Sequence, residues 1–100
     1  EDLADHIAMI GDHIITGLQS IARDSDAFTN VRGRGSLIAF TFNPAEARRE
    51  MIAALFERKV IALPSGQDSV RFRLPLNFTR ADADELLSRV ESCVPLLTGA

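Results

Sequence analysis

Arg71 and Arg73 are the residues whose type and spacing point most directly to chemistry. They lie two residues apart in the segment 70–76, where apolar and charged residues alternate before Pro75. In a β-strand, this alternation directs the apolar side chains to one face and both arginines to the other. A guanidinium on such a rigid element is a planar fork that can bind a carboxylate at two points. The solvated polar face of an edge strand has the same pattern, so spacing alone leaves both interpretations open.

Two other groups of residues resemble known sites but fit them poorly. His6 and His13 are seven residues apart in a predicted helix, whereas a metal-binding histidine pair on one helix usually has a spacing of four. Gly33 and Gly35 resemble the start of a phosphate-binding glycine loop, but the third glycine of that loop is missing and a strand follows. We therefore expect no metal site and no catalytic residue here, and we interpret the glycines as a turn or bulge.

Composition limits the class of protein. The chain has 100 residues, of which 46% are hydrophobic, so it can form one domain with its own core. Its net charge of −3 argues against a nucleic-acid-binding protein, which would usually be basic. No apolar run is long enough to cross a membrane, and no signal peptide is visible. Cys93 is the single cysteine, which excludes an internal disulfide and fits a reduced, cytoplasmic setting.

The hydrophobic periodicity predicts an α+β fold, with helices on one face of a small, mainly antiparallel sheet and the order α-β-β-α-β-β-α. The second helix has an N-terminal signal at Asn43-Pro44, and the third has a capping signal in Thr79 and Asp82. Alternation is clearest at 36–42, which we interpret as a central strand. Helices are predicted at 2–23, 44–58 and 80–93, and strands at 28–32, 36–42, 60–63 and 69–73.

Two segments together resemble a known family. The run VRGRGSLIAF at 31–40 is similar to the strand that opens the C-terminal domain of class III pyridoxal-phosphate aminotransferases. The runs LPSG at 63–66 and SVRFRLPL at 69–76 resemble a later segment of the same domain. The order and spacing agree, and the resemblance covers nearly the whole chain. Within the family, the sequence is most similar to the ω-amino acid aminotransferases, a group that includes lysine 6-aminotransferase.

The resemblance implies a fold-type I enzyme that passes an amino group from an amino acid to pyridoxal 5′-phosphate and then to a 2-oxo acid. A large domain carries the Schiff-base lysine, and a small C-terminal domain covers the active site. Such enzymes are homodimers or larger assemblies. The arginine that matches Arg71 meets a substrate carboxylate or a glutamate of the large domain. We carry this substrate-binding role to Arg71 alone and assign no role to Arg73, Arg32 or Arg34.

We expect residues 1–100 to be the C-terminal small domain of such an enzyme, separated from its large domain. The chain starts at Glu1 without a methionine, and its first residues already have a helical pattern. The sole lysine, Lys59, follows a predicted helix at a surface turn, so we expect the isolated chain neither to bind pyridoxal phosphate nor to catalyse transamination. A cut domain should also expose apolar surface, for which Met9 and Ile15 are candidates.

One departure from the family pattern bears on the strand that carries the arginines. Leu74 stands where the family often has proline, which should soften the strand end without moving Arg71. From the residues themselves, two further interpretations remain open. The chain could be a free-standing α+β module that binds small acids, or an oligomerisation domain without a ligand.

Overall fold

The computed structural model describes residues 3–42, 46–57, 60, 62–66, 68–75 and 77–96. Within these ranges it confirms the predicted α+β class and element order. The helices are α1 (Leu3–Ser25), α2 (Glu46–Glu57) and α3 (Arg80–Cys93), and the strands are β1 (Thr29–Arg34), β2 (Leu37–Thr41), β3 (Leu63–Ser65) and β4 (Ser69–Arg73). A short 3-10 turn, Val94–Leu96, follows α3, as expected for a helix interrupted at Pro95.

The four strands form one antiparallel sheet in the order β1-β2-β4-β3. Strand β2 is central, as predicted. Strand β4, which carries Arg71 and Arg73, is also internal because it pairs with β2 on one side and β3 on the other. The edge-strand interpretation of the arginine segment is therefore wrong. Both arginines stand on a strand that is held by hydrogen bonds along both sides.

The core lies between one face of the sheet and the three helices. Four phenylalanines form its centre, with ring centroids between 4.5 and 5.8 Å apart in tilted pairs, a geometry that aromatic rings favour. Apolar residues on one side of each helix supply the other half of the core, and in α2 these are the buried Ala47, Met51, Ala54 and Leu55. The aromatic residues at the centre are Phe28, Phe40, Phe42 and Phe72. Because the core fills one face of β4, its alternate residues must face away from the helices.

Helix α1 is held close to the sheet by a glycine. A β-carbon at Gly11 would overlap the carbonyl oxygen of Gly35, which lies in the turn between β1 and β2. Gly35 has φ +59, so this turn uses the left-handed conformation that glycine adopts without strain. The helix itself ends two residues later than predicted, because Ser25 Oγ donates to the carbonyl of Ile21 and Asp26 N–H donates to that of Ala22.

A bulge lies in β1, but not at the glycines. The pairing of β1 with β2 shifts by one residue between Thr29 and Arg32. Asn30, inside this shift, has φ +53, a conformation that asparagine tolerates better than most residues. Gly33 lies in regular pairing with Ile38. The two glycines thus supply the turn and a close strand contact, while Asn30 supplies the bulge.

The third strand does not lie where the sequence predicted it. We expected a strand at 60–63, whereas β3 spans Leu63–Ser65. Val60 N–H donates to the carbonyl of Leu55 at 2.8 Å, so Val60 completes the end of α2 instead of starting a strand. Pro64 is tolerated because β3 is an edge strand, in which a residue without an N–H can lie with its nitrogen directed away from the sheet.

The predicted N-terminal cap of α3 is confirmed. Thr79 caps α3 in the predicted capping box: its hydroxyl accepts from Asp82 N–H at 3.0 Å, and Asp82 Oδ2 accepts from Thr79 N–H at 3.0 Å. The proposed cap of α2, Asn43-Pro44, lies outside the described residues, and so does Lys59.

Leu74 strengthens the end of β4, so the expected softening is wrong. Its N–H donates to the carbonyl of Ser36 at 2.8 Å, a hydrogen bond that a proline at this position could not make. The leucine side chain is also 6% exposed and belongs to the core. The strand that carries Arg71 and Arg73 is therefore anchored directly after Arg73.

Candidate carboxylate-binding site

Four arginines lie on the face of the sheet that the helices leave uncovered, which we call the open face. They come from β1 and β4, and all four are exposed. Cross-strand pairing determines which residues are neighbours on this face. One set of paired residues across the strands is Arg34, Leu37 and Arg73, and the adjacent set is Arg32, Ala39, Arg71 and Leu63. The sequence predicted the outward position of Arg71 and Arg73. It did not predict that Arg32 and Arg34 would share their face, although their own two-residue spacing was a signal for it.

Arg71 and Arg73 line a shallow recess of about 220 Å³ whose other walls are Leu37 and Leu63. The leucines are 41% and 49% exposed, so they offer apolar surface beside the two guanidinium groups. The recess is small, with charged donors on one strand and aliphatic side chains on the strands at either side. This combination suits a small aliphatic acid in its chemistry, because a guanidinium fork can bind a carboxylate and exposed leucines can contact a carbon chain.

The recess has no acid of its own. None of the four strands contains aspartate or glutamate. Within the described part of the chain, Arg71, Arg73 and Arg34 form no ion pair or side-chain hydrogen bond. The open face is thus positive on a chain whose net charge is −3. Such a face attracts anions, and Arg71 keeps both donor edges available for one.

Arg32 differs from the other three because it is fixed in place. Its Nη1 donates to Asn30 O at 2.9 Å and to Thr41 Oγ1 at 3.0 Å, and its Nη2 donates to Ser69 Oγ at 3.2 Å. The Thr41 and Ser69 hydroxyls are 2.9 Å apart, and Ser69 is only 4% exposed. Arg32 therefore links β1, β2 and β4 by hydrogen bonds close to Arg71. These bonds stabilise the part of the sheet that carries Arg71.

The histidines take structural positions in α1. His6 Nε2 lies 2.7 Å from the carbonyl of Phe78, and His13 Nε2 lies 2.7 Å from Asp84 Oδ1. Each contact joins α1 to the α3 region. The described residues contain no group of three or more His, Cys, Asp or Glu arranged to hold a metal ion. In the same residues, no helix is long and apolar enough to cross a membrane.

Apolar surface is exposed on the helices as well as on the sheet. Met9 is 61% exposed on α1, as expected, whereas Ile15 is half-buried against the core. Phe56 on α2 is 69% exposed and was not predicted. Large apolar side chains exposed to this degree are candidates for contact with another part of an assembly.

For the described residues, the expectation that the isolated chain does not bind pyridoxal phosphate stays a prediction. That cofactor needs a lysine to form a Schiff base, and the chain's single lysine, Lys59, lies outside them. Gly35 and Gly33 serve a hairpin turn and a close strand contact instead of a phosphate-binding loop.

Comparison with known proteins identifies the family. The sequence pattern described as Aminotransferase class-III matches residues 1–94. The chain belongs to the class III aminotransferase family, as its two motif segments predicted. An L-lysine-epsilon aminotransferase from Mycobacterium tuberculosis is 36% identical over 99 residues, which are 98% of this chain and 22% of that protein. The mitochondrial 4-aminobutyrate aminotransferase of Mus musculus is 34% identical over 90 residues, or 88% of this chain and 18% of that protein.

Solved structures show the same fold. The lysine aminotransferase of M. tuberculosis superposes with a TM-score of 0.89 at 36% identity, over 96% of this chain and 22% of that one. The acetylornithine aminotransferase of Elizabethkingia anophelis has a TM-score of 0.86 at 23% identity, which shows a shared fold alone. The chain thus spans about a fifth to a quarter of the length of these relatives.

Proposed function

We propose that this chain is the C-terminal small domain of a pyridoxal-phosphate-dependent ω-amino acid:2-oxoglutarate aminotransferase, similar to lysine 6-aminotransferase, and that Arg71 binds a substrate carboxylate. The observation that carries the proposal is the exposed guanidinium of Arg71, which has no ion-pair partner among the described residues and lines a recess with aliphatic walls. Membership of the class III family supports the reaction, and the similarity to lysine aminotransferases supports the type of amino donor.

Arg71 acts by holding the substrate in one orientation. Two parallel N–H donors of the guanidinium fix a carboxylate in position and in plane, which an ammonium group cannot do. Strand β4 is paired on both sides and anchored through Leu74, so the backbone that carries the Arg71 guanidinium is rigid. Rigid positioning of a reactant contributes to rate through orientation, and the exposed leucines contact the carbon chain and exclude water beside it.

The rest of the active site belongs to the large domain of the same enzyme in this proposal. Pyridoxal phosphate, bound there, carries the amino group between the two substrates. The open face, with its positive charge and exposed Leu37 and Leu63, is the surface that covers the active site. Met9 and Phe56 are candidates for the surface of a homodimer. Cys93 is buried and is the chain's single cysteine, so the chain holds no internal disulfide, which is compatible with the cytoplasmic location that we propose.

Arg71→Lys in the full-length protein tests the proposal. Lysine keeps the charge but loses the two-point geometry, and a hydrogen bond to a charged group contributes about 1.5–3 kcal/mol. We therefore expect kcat/KM for both the amino donor and the 2-oxo acid to fall about 10-fold to 100-fold. Thermal unfolding should change little, because the side chain is exposed and unpaired among the described residues.

Arg34→Lys is the matched control, since Arg34 is exposed on the same face but does not line the recess. It should leave both kinetic constants within about twofold of the unsubstituted enzyme, a change well below 1 kcal/mol. Unchanged kinetics in Arg71→Lys would exclude Arg71 from substrate binding. Equal losses in the two variants would mean that the face acts through its overall charge and not through one fork.

A further inference from the structure

We infer that Arg32 is a positioning residue for Arg71: it occupies the hydroxyl groups beside Arg71 and so prevents Asp68 from pairing with the carboxylate-binding fork. The inference rests on the proposed function, since it concerns the availability of Arg71 for a substrate carboxylate. Arg32 itself makes no contact with the substrate and acts only through Arg71. This gives a role to a side chain that the sequence left without one.

The hydrogen bonds around Ser69 have a single direction. Ser69 Oγ donates its proton to Asp68 Oδ1 at 3.2 Å, so the 2.9 Å bond between Thr41 and Ser69 is donated by the Thr41 hydroxyl. Arg32 Nη2 donates to Ser69 Oγ at 3.2 Å, and Arg32 Nη1 donates to Thr41 Oγ1 at 3.0 Å. The proton and both acceptor positions of the Ser69 hydroxyl are therefore used.

These bonds connect a positive charge to a negative one. Within the described residues, Arg32 and Asp68 form no direct ion pair, but the Thr41 and Ser69 hydroxyls join them. Hydrogen bonds that run in one direction polarise and strengthen one another. Asp68 is thus the acid that compensates Arg32, whereas Arg71 has no ion-pair partner in the same part of the chain.

Asp68 is also the acid nearest to Arg71 in the sequence, three residues away, and no strand contains another. Ser69 and Arg71 project from the same face of β4, with their α-carbons about 7 Å apart. An arginine side chain is long enough to span this separation. With Arg32 absent, the Arg71 guanidinium is free to turn toward Ser69 Oγ and the Asp68 carboxylate, and the fork is then no longer available to a substrate.

Arg32 closes this route in two ways. Its guanidinium covers Ser69, which is only 4% exposed although it lies on the open face of the sheet. The positive charge of Arg32 also repels that of Arg71, and like charges on one face of a sheet favour conformations that keep them apart. Arg71 is therefore directed toward the recess that it lines with Leu37 and Leu63.

The preference of the full-length enzyme for L-lysine over 1,5-diaminopentane, which lacks the carboxylate, tests the inference. The ratio of the two kcat/KM values does not depend on the fraction of enzyme that is folded, so a loss of stability alone cannot change it. In Arg32→Gln the ratio should fall about threefold to fivefold, the strength expected of an exposed ion pair between Arg71 and Asp68. Arg32→Lys keeps the charge and should retain part of the preference.

Asp68→Asn distinguishes positioning from a purely structural role of Arg32. Asparagine keeps an acceptor for the Ser69 hydroxyl but removes the charge that attracts Arg71. Added to Arg32→Gln, it should restore the ratio of the unsubstituted enzyme, because no acid then remains beside Arg71. Arg34→Gln is the matched control, since it removes an exposed charge of the same face that forms no such bonds, and it should leave the ratio unchanged.

An unchanged ratio in Arg32→Gln overturns the inference, and so does a lowered ratio that Asp68→Asn fails to restore. Arg71→Gln separates these results from failure of the proposed function. It should lower the ratio even if Arg32 has no role, whereas an unchanged ratio in Arg71→Gln would overturn the proposed function itself.

Discussion

The guanidinium of Arg71 shares its recess with Leu63, the residue that pairs with it across β3 and β4. A charged fork beside exposed aliphatic side chains is a combination expected where another molecule or domain binds. The recess is positioned by the sheet, so the elements that hold the sheet against the helices also hold the site. Two predictions concern those elements.

Gly11→Ala should destabilise the protein, although alanine is the better helix former by about 1 kcal/mol. The added β-carbon would meet the backbone carbonyl of Gly35, which cannot turn away, so α1 and the β1–β2 hairpin must separate. Overpacking of this kind costs about 1–3 kcal/mol, and after the helix-propensity gain of about 1 kcal/mol the net loss in urea unfolding should be up to about 2 kcal/mol. Gly17→Ala is the control, because its β-carbon meets only the methyl end of Leu87 at 2.5 Å, which can rotate. Equal stability changes in the two variants would show that the backbone contact is unimportant.

Thr79→Ala should lower the free energy of unfolding by about 1 kcal/mol, the usual contribution of an N-cap hydroxyl. The variant removes the acceptor of Asp82 N–H at the start of α3. Thr79→Ser keeps that acceptor and should be close to the unsubstituted protein. Ser88→Ala, at an exposed position within the same helix, should be neutral or slightly stabilising. A Thr79→Ala variant as stable as Ser88→Ala would mean that the capping box contributes nothing.

The sequence predicted those parts of the structure that depend on local pattern. Alternation gave the outward direction of Arg71, and the pair Thr79 and Asp82 gave the start of α3 at Arg80. The shift of β3 was not predictable from Pro64, because its acceptance depends on β3 being an edge strand.

Features set by distant partners were also missed. Arg32 meets Thr41 and Ser69, which are 9 and 37 residues away in sequence, and these contacts follow from strand order. The recess likewise combines Leu37 and Leu63 from two strands that both pair with β4. Periodicity within one segment carries no information on such contacts, so the sequence identified Arg71 but not its surroundings.

The 100-residue chain alone should form no specific adduct with pyridoxal phosphate. Lys59 is its sole lysine, and a Schiff-base lysine needs an enclosing pocket that lowers its pKa. Incubation with the cofactor, reduction with borohydride and peptide mass spectrometry should give only low, non-saturating labelling. Stoichiometric and saturable labelling at Lys59, together with amino transfer that Lys59→Ala abolishes, would show that the chemistry of this chain has been misassigned.

The most direct test of the central claim compares two amino donors that differ only in a carboxylate. L-Lysine and 1,5-diaminopentane, which is lysine without that group, are assayed with one 2-oxo acid in the full-length enzyme and in Arg71→Gln. If Arg71 binds the carboxylate, the unsubstituted enzyme prefers lysine, and the ratio of the two kcat/KM values falls about 10-fold to 100-fold in the variant, since the lost contacts are worth about 1.5–3 kcal/mol. A preference for lysine that survives unchanged in Arg71→Gln would contradict the account.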